Sequence, residues 1–93
     1  MISEWHDKEG KRIWDMHFSS KLPQDIQKTA RRKLVVLNSA VSLNDLRIPP
    51  SNHLEELSGD RKGQHSIRIN DTYRICFYWN DGRVIVQDIC NYH

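Results

Sequence analysis

Two arginines in the second half of the chain have types and spacing suited to binding a phosphate group. Residues 66–79 alternate between apolar side chains at odd numbers and mostly polar side chains at even numbers, which predicts a β-hairpin. A three-residue loop over residues 70–72 keeps the two sets on separate faces and places Arg68 opposite Arg74. Opposed like charges mildly destabilise a sheet, whereas two guanidinium groups offer bidentate donors to phosphate oxygens. The structural alternative is that an arginine is neutralised by a nearby carboxylate, namely Asp60, Glu55, Glu56 or Asp88.

The final residues of the sequence, Asn91, Tyr92 and His93, are expected to follow a strand that neighbours Arg74. Two registers are open for the last hairpin. A two-residue turn places on the face of the arginines Ile85, Gln87 and Ile89, followed by Asn91 and His93. A three-residue loop instead places there Val84, Val86, Asp88 and Tyr92. The Asp81-Gly82 sequence is typical of a two-residue turn and favours the first register.

Two further groups of basic residues could contact an anionic partner. Arg61 and Lys62 lie in a turn that leads into the strand of Arg68, and His65 follows this turn. The second group belongs to a predicted helix and consists of Lys28, Arg31, Arg32 and Lys33. Each group also has a structural interpretation, as a charged turn and as a solvated helix face. Because the net charge is only +2, an anionic partner has to be bound by such local groups.

The composition is that of one soluble globular domain covering residues 1–93, with 38% hydrophobic and 28% charged residues. No apolar run is suited to a signal peptide or a membrane span, so we expect a cytoplasmic protein without membrane contact. Cys76 and Cys90 lie in apolar, strand-like runs, and we expect free, buried thiols. We expect neither a metal site nor a cofactor, because no metal-ligand motif and no phosphate-cradling glycine loop is present.

The elements that would position these residues follow from periodicity and turn residues. The first half is predicted to contain a strand at residues 2–5, a helix from Asp7 to about Phe18, a helix at about 23–40, and a turn or short helix at 43–50. A loop with a short strand near residues 54–58 precedes three strands at 65–70, 72–80 and 83–90. The second helix carries an apolar stripe of Ile26, Ala30, Leu34, Leu37 and Val41. The sequence therefore predicts an α+β domain with two N-terminal helices packed on one side of a small antiparallel sheet.

Several short motifs spread over nearly the whole chain occur together in one protein family. They are Gly59-Asp60-Arg61-Lys62-Gly63, Ser66-Ile67-Arg68, Tyr73-Arg74-Ile75 and Tyr92-His93, preceded by residues 30–37, Leu46-Arg47 and Pro49-Pro50. In this combination the chain resembles the HigB toxins of the wider RelE/ParE superfamily. The resemblance implies a RelE-like fold and a metal-independent endoribonuclease, the toxin of a type II toxin–antitoxin system, that cuts mRNA in the ribosomal A site. It also implies a HigA-like helix-turn-helix antitoxin as partner. The toxin would contact operator DNA only through this antitoxin.

The resemblance assigns roles to residues of this chain. Arg74 matches the family's arginine on the central strand, and Asn91, Tyr92 and His93 match its C-terminal catalytic tail. Such an enzyme drives a ribose 2′-OH onto the adjacent phosphate. His93 is suited to transferring a proton, and Arg74 to stabilising the negative charge that develops on the phosphate. Tyr92 is suited to stacking on a nucleobase or to orienting the phosphate. The RNA-binding residues implied are Arg61, Lys62 and Arg68.

Two departures from the family pattern keep other interpretations open. Asn91 stands where related toxins have an aspartate, and it cannot act as a general base. Glu55 and Ser58 stand where some members have a histidine and a lysine, and Glu55 is the alternative candidate for the base. The first alternative function is therefore a catalytically weak member that binds its antitoxin and tunes transcription. The second is a ParE-like inhibitor of DNA gyrase.

Overall fold

The structure, a computed structural model, describes residues 1–91 of the chain. Its helices and strands, in chain order, are β1 (Ile2–Trp5), α1 (Lys8–Trp14), α2 (Gln24–Ser39), β2 (Glu55–Glu56), β3 (Gln64–Arg68), β4 (Arg74–Asn80) and β5 (Arg83–Cys90). Short 3₁₀ turns at Leu43–Arg47, Pro50–Asn52 and Gly59–Arg61 connect α2 to the later strands. The predicted order of elements is confirmed, including both short strands.

The first helix begins where the sequence predicts but is shorter. The Asp7 carboxylate accepts a hydrogen bond from the backbone N–H of Glu9 at 3.0 Å and so caps the start of α1. The prediction that this helix runs to about Phe18 is wrong, since it ends at Trp14. Met16 adopts a left-handed conformation with φ of 65°, which is incompatible with continuing the helix.

The second helix buries the apolar stripe that its sequence predicts. The buried positions are Ile26, Ala30, Leu34 and Leu37. Val41, which the sequence places in the same stripe, is 82% exposed because the helix ends at Ser39 and the backbone of Ala40 is already extended. Among residues 1–91, no helix is long and apolar enough to cross a membrane.

The described strands form one five-stranded sheet in the order β1-β5-β4-β3-β2. Strands β2 to β5 pair antiparallel, but β1 pairs parallel to β5, so the sheet is mixed. The prediction of a purely antiparallel sheet is therefore wrong at its first strand. A tight turn joins only antiparallel neighbours, whereas the long connection from β1 to β5 contains both helices and lets these strands run in the same direction.

The hairpin of β3 and β4 has the predicted register. Arg68 lies opposite Arg74, Ile67 lies opposite Ile75, and the N–H of Ile69 donates to the Tyr73 carbonyl at 2.9 Å. One buried cluster joins this sheet to the helices and contains Ile13, Ile26, Ala30, Leu34, Leu37, Ile67, Ile69, Ile75, Phe77, Val84, Val86 and Ile89. The odd-numbered residues of β3 and β4 thus face the core, and the arginines lie on the other face.

The last hairpin begins with the predicted two-residue turn. Asp81 and Gly82 both have positive φ, at 51° and 87°. Such backbone angles are those of the tight hairpin turns that asparagine, aspartate and glycine favour. Trp79 therefore pairs with Val84, as the first of the two registers requires.

A β-bulge in β5 then changes the register. Phe77 pairs with Val86, but the preceding β4 residue, Cys76, pairs with Asp88, so that Gln87 is an extra residue in β5. One extra residue moves every later side chain to the other face of the sheet. The second half of β5 therefore presents the opposite set of side chains from the one that the turn alone predicts.

The bulge corrects both registers considered from the sequence. Ile89, expected beside the arginines, is 7% exposed and belongs to the core. Asp88 and Cys90 take its place, since they pair with Cys76 and Arg74. The alternative three-residue loop is wrong as well, because it puts Val84 and Val86 beside the arginines, whereas both are fully buried in the core. Its placement of Asp88 on the face of the arginines is confirmed.

Candidate functional site

The face of the sheet opposite the apolar core carries the predicted arginine pair. We call it the arginine face, and it consists of Ser66, Arg68, Arg74, Cys76, Asp88 and Cys90. Arg74 has Arg68 opposite it on β3 and Cys90 opposite it on β5. The central strand thus places Arg74 between two neighbouring strands.

Arg74 is held in one orientation by the elements around it. Its Nε donates to the Ser66 hydroxyl at 2.7 Å, and its Nη2 donates to the backbone carbonyls of Ser66, at 3.4 Å, and of His53. Its Nη1 lies 3.8 Å from Glu55 Oε1, which is too long for a hydrogen bond. The Arg74 side chain is only 13% exposed. The guanidinium is therefore fixed, while its Nη1 makes no hydrogen bond within residues 1–91.

Arg68 turns toward the loop that joins β3 to β4. Its Nε donates to the Asn70 carbonyl at 3.1 Å, and its Nη2 pairs with the Asp71 carboxylate. Asp71 is 92% exposed and is not among the carboxylates expected from the sequence. Ion pairs this exposed contribute roughly 0–1 kcal/mol, so a phosphate could displace Asp71 at little cost.

The positive charge of Arg68 extends to the basic residues of α2. The pKa of Lys33 is lowered, mainly by partial burial and then by the neighbouring charges of Arg32 and Arg68. The Lys33 ammonium donates to the side-chain oxygen of Asn52, which connects the helix to the segment before β2. Lys33 and Arg68 therefore lie close enough for their positive charges to interact.

Arg61 reaches across the sheet to β5. Its Nη1 and Nη2 donate to the two carboxylate oxygens of Asp88 at 2.9 and 2.8 Å, and Nη1 also donates to Gln64 at 3.0 Å. This hydrogen bonding to Asp88 raises the pKa of Arg61. Lys62 beside it is exposed and makes no ion pair within the described 91 residues. Within the described chain, the Lys62 ammonium is thus available to an anionic partner, whereas the Arg61 guanidinium anchors the basic turn to the sheet.

The two cysteines lie side by side on the arginine face. Both are free thiols, as predicted, and their Sγ atoms are 3.2 Å apart. Cys76 is fully buried, as predicted, whereas Cys90 is partly exposed, so the prediction of burial is wrong for Cys90. The thiol–thiol hydrogen bond raises the pKa of Cys76, to which burial adds, and it lowers the pKa of Cys90. The sequence did not predict this contact, because it depends on the bulge in β5.

The predicted catalytic tail is described only in part. Asn91 is exposed and follows β5 directly. Tyr92 and His93 lie outside the described residues, so their catalytic roles stay predictions. Glu55, the alternative base, is on β2 at 3.8 Å from Arg74. Arg74 and Glu55 are therefore the two predicted catalytic groups that the structure places close to each other.

His65, near the basic turn in sequence, lies on the core side of β3. It pairs with Phe77 across the hairpin, and the two rings stack with centroids 6.1 Å apart. Its buried Nδ1 atom has no hydrogen-bond partner within residues 1–91. Its position is that of a packing residue.

The ion pair between Arg61 and Asp88 is not among the contacts predicted from the sequence. The two residues are 27 positions apart and meet only because the bulge turns Asp88 toward the arginine face. The sequence does contain a signal for such a pair, because Asp88 is the one acidic residue in the run 84–90. The other residues of this run are apolar, except for Gln87. A carboxylate in such a strand requires a cation partner.

Comparison with known proteins agrees with this architecture. A family model described as "RelE-like toxin of type II toxin-antitoxin system HigB" matches residues 3–93. Toxin HigB-1 of Vibrio cholerae serotype O1 is 41% identical over 83 residues, which are 88% of this chain and 87% of that toxin. An uncharacterised protein of Haemophilus influenzae is 38% identical over 65 residues, 70% of this chain and 64% of that protein.

Solved structures share the fold at low sequence identity. A chain in a YoeB–YefM complex from Staphylococcus aureus has a TM-score of 0.61 and 15% identity, covering 100% of this chain and 98% of that chain. A heterotetrameric complex of the same toxin and antitoxin has a TM-score of 0.60 and 18% identity, with the same coverage. Since the family model spans nearly the whole sequence and a curated toxin matches most of it, the chain belongs to the HigB-like family of RelE-like toxins of type II toxin–antitoxin systems.

Proposed function

We propose that this toxin is a ribosome-dependent endoribonuclease that cleaves mRNA in the ribosomal A site by metal-independent acid–base chemistry. The observation that supports this most is Arg74, whose guanidinium is fixed by Ser66 and His53 and keeps Nη1 without a hydrogen bond in the described chain. RNA cleavage concentrates negative charge on the phosphate oxygens in the transition state. A donor that is already oriented stabilises this charge without having to reorganise.

In the proposed reaction the 2′-OH of a ribose attacks the phosphate on its 3′ side, and the bond to the next 5′ oxygen breaks. Arg74 binds the phosphate oxygens throughout. His93 is assigned a proton transfer, because imidazole titrates near neutral pH. Tyr92 is assigned to stack on a base or to orient the phosphate. The assignments of His93 and Tyr92 rest on the family motif alone.

Glu55 is the proposed general base for the attacking hydroxyl. Its carboxylate is exposed and lies 3.8 Å from Nη1 of Arg74. A phosphate bound at Nη1 would therefore bring its 2′-OH close to Glu55, and the carboxylate would be released from its weak ion pair. Asn91 cannot accept a proton, and we assign it to hydrogen bonding with RNA.

The RNA backbone is proposed to cross the sheet beside β3. Lys62 precedes this strand and Arg68 ends it, so the two cations flank the strand at opposite ends. Arg68 exchanges the exposed Asp71 for a phosphate, and Lys62 has no ion pair to lose within residues 1–91. Arg61 keeps its bond to Asp88 and adds positive charge while it holds the turn in place.

A cognate antitoxin is the proposed protein partner, in line with solved relatives that are complexes of YoeB with YefM. A cleft of about 510 Å³ between α1 and α2 is lined by Ile13, Met16, His17, Phe18, Gln27, Lys28, Arg31 and Arg32. Met16 and Phe18 are 74% and 57% exposed, and Lys28 and Arg32 make no ion pair within residues 1–91. This combination fits an acidic, amphipathic segment. We propose that a HigA-like helix-turn-helix antitoxin supplies it and alone contacts operator DNA.

Primer extension on a translated message, after induction of the toxin, tests the proposed reaction. The unsubstituted chain is expected to cut within codons, and Arg74→Ala and His93→Gln are expected to abolish the cuts. Arg83→Ala is the matched control, because Arg83 is an exposed arginine. It is the first residue of β5 and directly follows the Asp81-Gly82 turn. It should leave the cuts unchanged.

Two other results would point elsewhere. Growth arrest that survives both substitutions, together with altered DNA supercoiling, would support a ParE-like gyrase inhibitor and overturn the proposal. Absence of arrest and cleavage from the unsubstituted chain would support a weak member that acts through its antitoxin, as Asn91 and the carboxylate neighbours of Arg68 and Arg74 would favour.

A further inference from the structure

The thiols of Cys76 and Cys90 are the groups of the arginine face that the proposed reaction does not use. Cys76 is in the middle of β4 and Cys90 is the last residue of β5. The register places Cys76 opposite Asp88 and Cys90 opposite Arg74, so the two thiols meet diagonally across adjacent strands. Their Sγ atoms are 3.2 Å apart, and both are reduced.

A metal ion is the less suitable occupant of this cluster. Cys76, Asp88 and Cys90 offer three ligand atoms within 4.8 Å of one another. However, both oxygens of Asp88 already accept hydrogen bonds from the guanidinium of Arg61, at 2.9 and 2.8 Å. A cation would have to displace that guanidinium or lie against it. Without Asp88, only the two thiolates of this group remain as ligands within residues 1–91, whereas a structural zinc site uses four ligands.

We propose that Cys76 and Cys90 form a reversible intramolecular disulfide, which makes the arginine face a site of oxidation by peroxide. The two sulfur atoms already lie 3.2 Å apart, so they need to approach by only about 1 Å to reach the length of a disulfide bond. Cys90 is partly exposed and therefore meets the oxidant first, while the buried Cys76 is the resolving thiol. This inference concerns the thiols and does not depend on the proposed RNA cleavage.

The electrostatic surroundings give the two thiols different roles. The hydrogen bond from Cys76 lowers the pKa of Cys90; the charges of Arg61 and Arg74 act in the same direction, and burial and Asp88 oppose them. The pKa of Cys76 is raised by the same hydrogen bond and by burial. The thiolate is the nucleophile in such chemistry, so Cys90 is the residue that attacks.

The reaction balances with hydrogen peroxide as the oxidant. The Cys90 thiolate attacks one peroxide oxygen, the O–O bond breaks, and the departing hydroxide takes a proton to give water and a Cys90 sulfenic acid. The sulfur of Cys76 then attacks the sulfenic sulfur. The S–O bond breaks, the S–S bond forms, and hydroxide leaves with the Cys76 proton as a second water. Two thiols are oxidised by two electrons in total, and one peroxide is reduced to two waters.

The disulfide would tether the end of β5 to the centre of β4. Asn91, Tyr92 and His93 follow Cys90 directly in the sequence, and Arg74 is the register partner of Cys90. Oxidation would therefore add a covalent restraint at the last residue of β5, which directly precedes the predicted catalytic residues in the sequence. The inferred site couples the redox state of the thiols to the neighbourhood of Arg74.

Intact-mass measurement and thiol alkylation of the purified full chain test this inference. After treatment with hydrogen peroxide, the monomer is expected to lose the mass of two hydrogen atoms. Neither thiol should then react with iodoacetamide under denaturing conditions, and dithiothreitol should restore both. Cys76→Ser should instead leave Cys90 with added oxygen, while Cys90→Ser should leave the buried Cys76 unoxidised.

Three results would overturn it. The first is a gain of oxygen atoms on the unsubstituted chain without the loss of two hydrogens. The second is a disulfide-linked dimer as the main product, since the proposed bond is intramolecular. The third is a full equivalent of zinc, added as a salt to the reduced chain, that binds and protects both thiols. Because these readings use the unsubstituted chain, they hold even if a serine variant fails to fold.

Discussion

The two faces of the same sheet both contain fully buried side chains, yet they are held together in different ways. On the core face, Ile75 and Phe77 are fully buried among apolar neighbours. On the arginine face, Ser66 and Cys76 are equally buried but bind through directed contacts, such as the 2.7 Å hydrogen bond from Arg74. Apolar packing fixes shape and stability, whereas directed contacts fix the orientation of a charged group. Burial alone therefore does not separate a core from a site.

The largest expected effect comes from breaking the core face. Phe77→Ala removes a fully buried ring that packs against His65, and it should lower the free energy of unfolding by about 3–5 kcal/mol. Urea denaturation followed by circular dichroism measures this loss. Phe77→Leu is the control and should cost clearly less, because it leaves a smaller cavity. Losses below about 1 kcal/mol in both variants would mean that Phe77 is not tightly packed.

A smaller but more informative effect is expected from Ser66→Ala on the arginine face. It removes the hydroxyl that accepts from Nε of Arg74 and should cost about 1–3 kcal/mol of unfolding free energy. If the proposed function holds, mRNA cleavage should also fall by roughly tenfold, because Arg74 loses its fixed orientation.

Ser58→Ala is the matched control for this substitution. Ser58 is exposed, and its side chain makes no capping hydrogen bond to the turn at Gly59–Arg61. Both unfolding free energy and cleavage should be unchanged in this variant. Cleavage that Ser66→Ala leaves intact while stability falls would show that the orientation of Arg74 is not needed for activity.

The contrast between the faces also explains what the sequence could predict. The alternation of Ile67, Ile75 and Phe77 with polar neighbours predicts the core face and the Arg68–Arg74 pairing, because side chains alternate strictly in regular strands. The parallel pairing of β1 leaves no such local signal. Neither does the extra residue Gln87, since a bulge depends on tertiary contacts around it.

Those tertiary contacts can be identified in the structure. The N–H of Ile89, just after the bulge, donates to the carboxylate of Asp7, which also caps α1. One side chain near the start of the chain thus satisfies a backbone group displaced by the bulge. Asp88 and Cys90 lie on the arginine face because of the bulge. Strict periodicity within β5 cannot place Asp88 there while Val84 and Val86 are buried in the core, so neither regular register predicts this arrangement.

A third prediction compares two ion pairs of the arginine face. Asp88→Asn weakens the bidentate pair with Arg61, in which both side chains are 30% exposed, and should lower the free energy of unfolding by about 1 kcal/mol. Asp71→Asn is the control, because Asp71 is 92% exposed and pairs with Arg68 inside one loop. It should change stability by less than about 0.5 kcal/mol. Equal effects in urea denaturation would remove the distinction between an anchoring pair and an exchangeable one.

The smallest expected effect concerns the edge of the sheet at the bulge. His6 hydrogen-bonds through Nδ1 to the extra residue Gln87 at 2.9 Å and through Nε2 to Glu4, and these bonds raise the pKa of His6, with that to Gln87 the larger cause. A raised pKa means that the protonated form stabilises the fold. This contribution is fully present below the pKa of the unfolded chain, about 6.5, and is lost as pH rises through the folded value.

Histidine titration by NMR measures this effect directly. The His6 ring signals should titrate above the pH expected of a histidine in an unfolded chain. Gln87→Leu should bring the titration back toward that value, while Glu4→Gln should have the smaller influence. Unfolding experiments should show a slight loss of stability across the same pH range in the unsubstituted chain and less in Gln87→Leu. A His6 titration that Gln87→Leu leaves unchanged would mean that the bulge does not hold the edge strand, and that β1 depends on its backbone pairing with β5 alone.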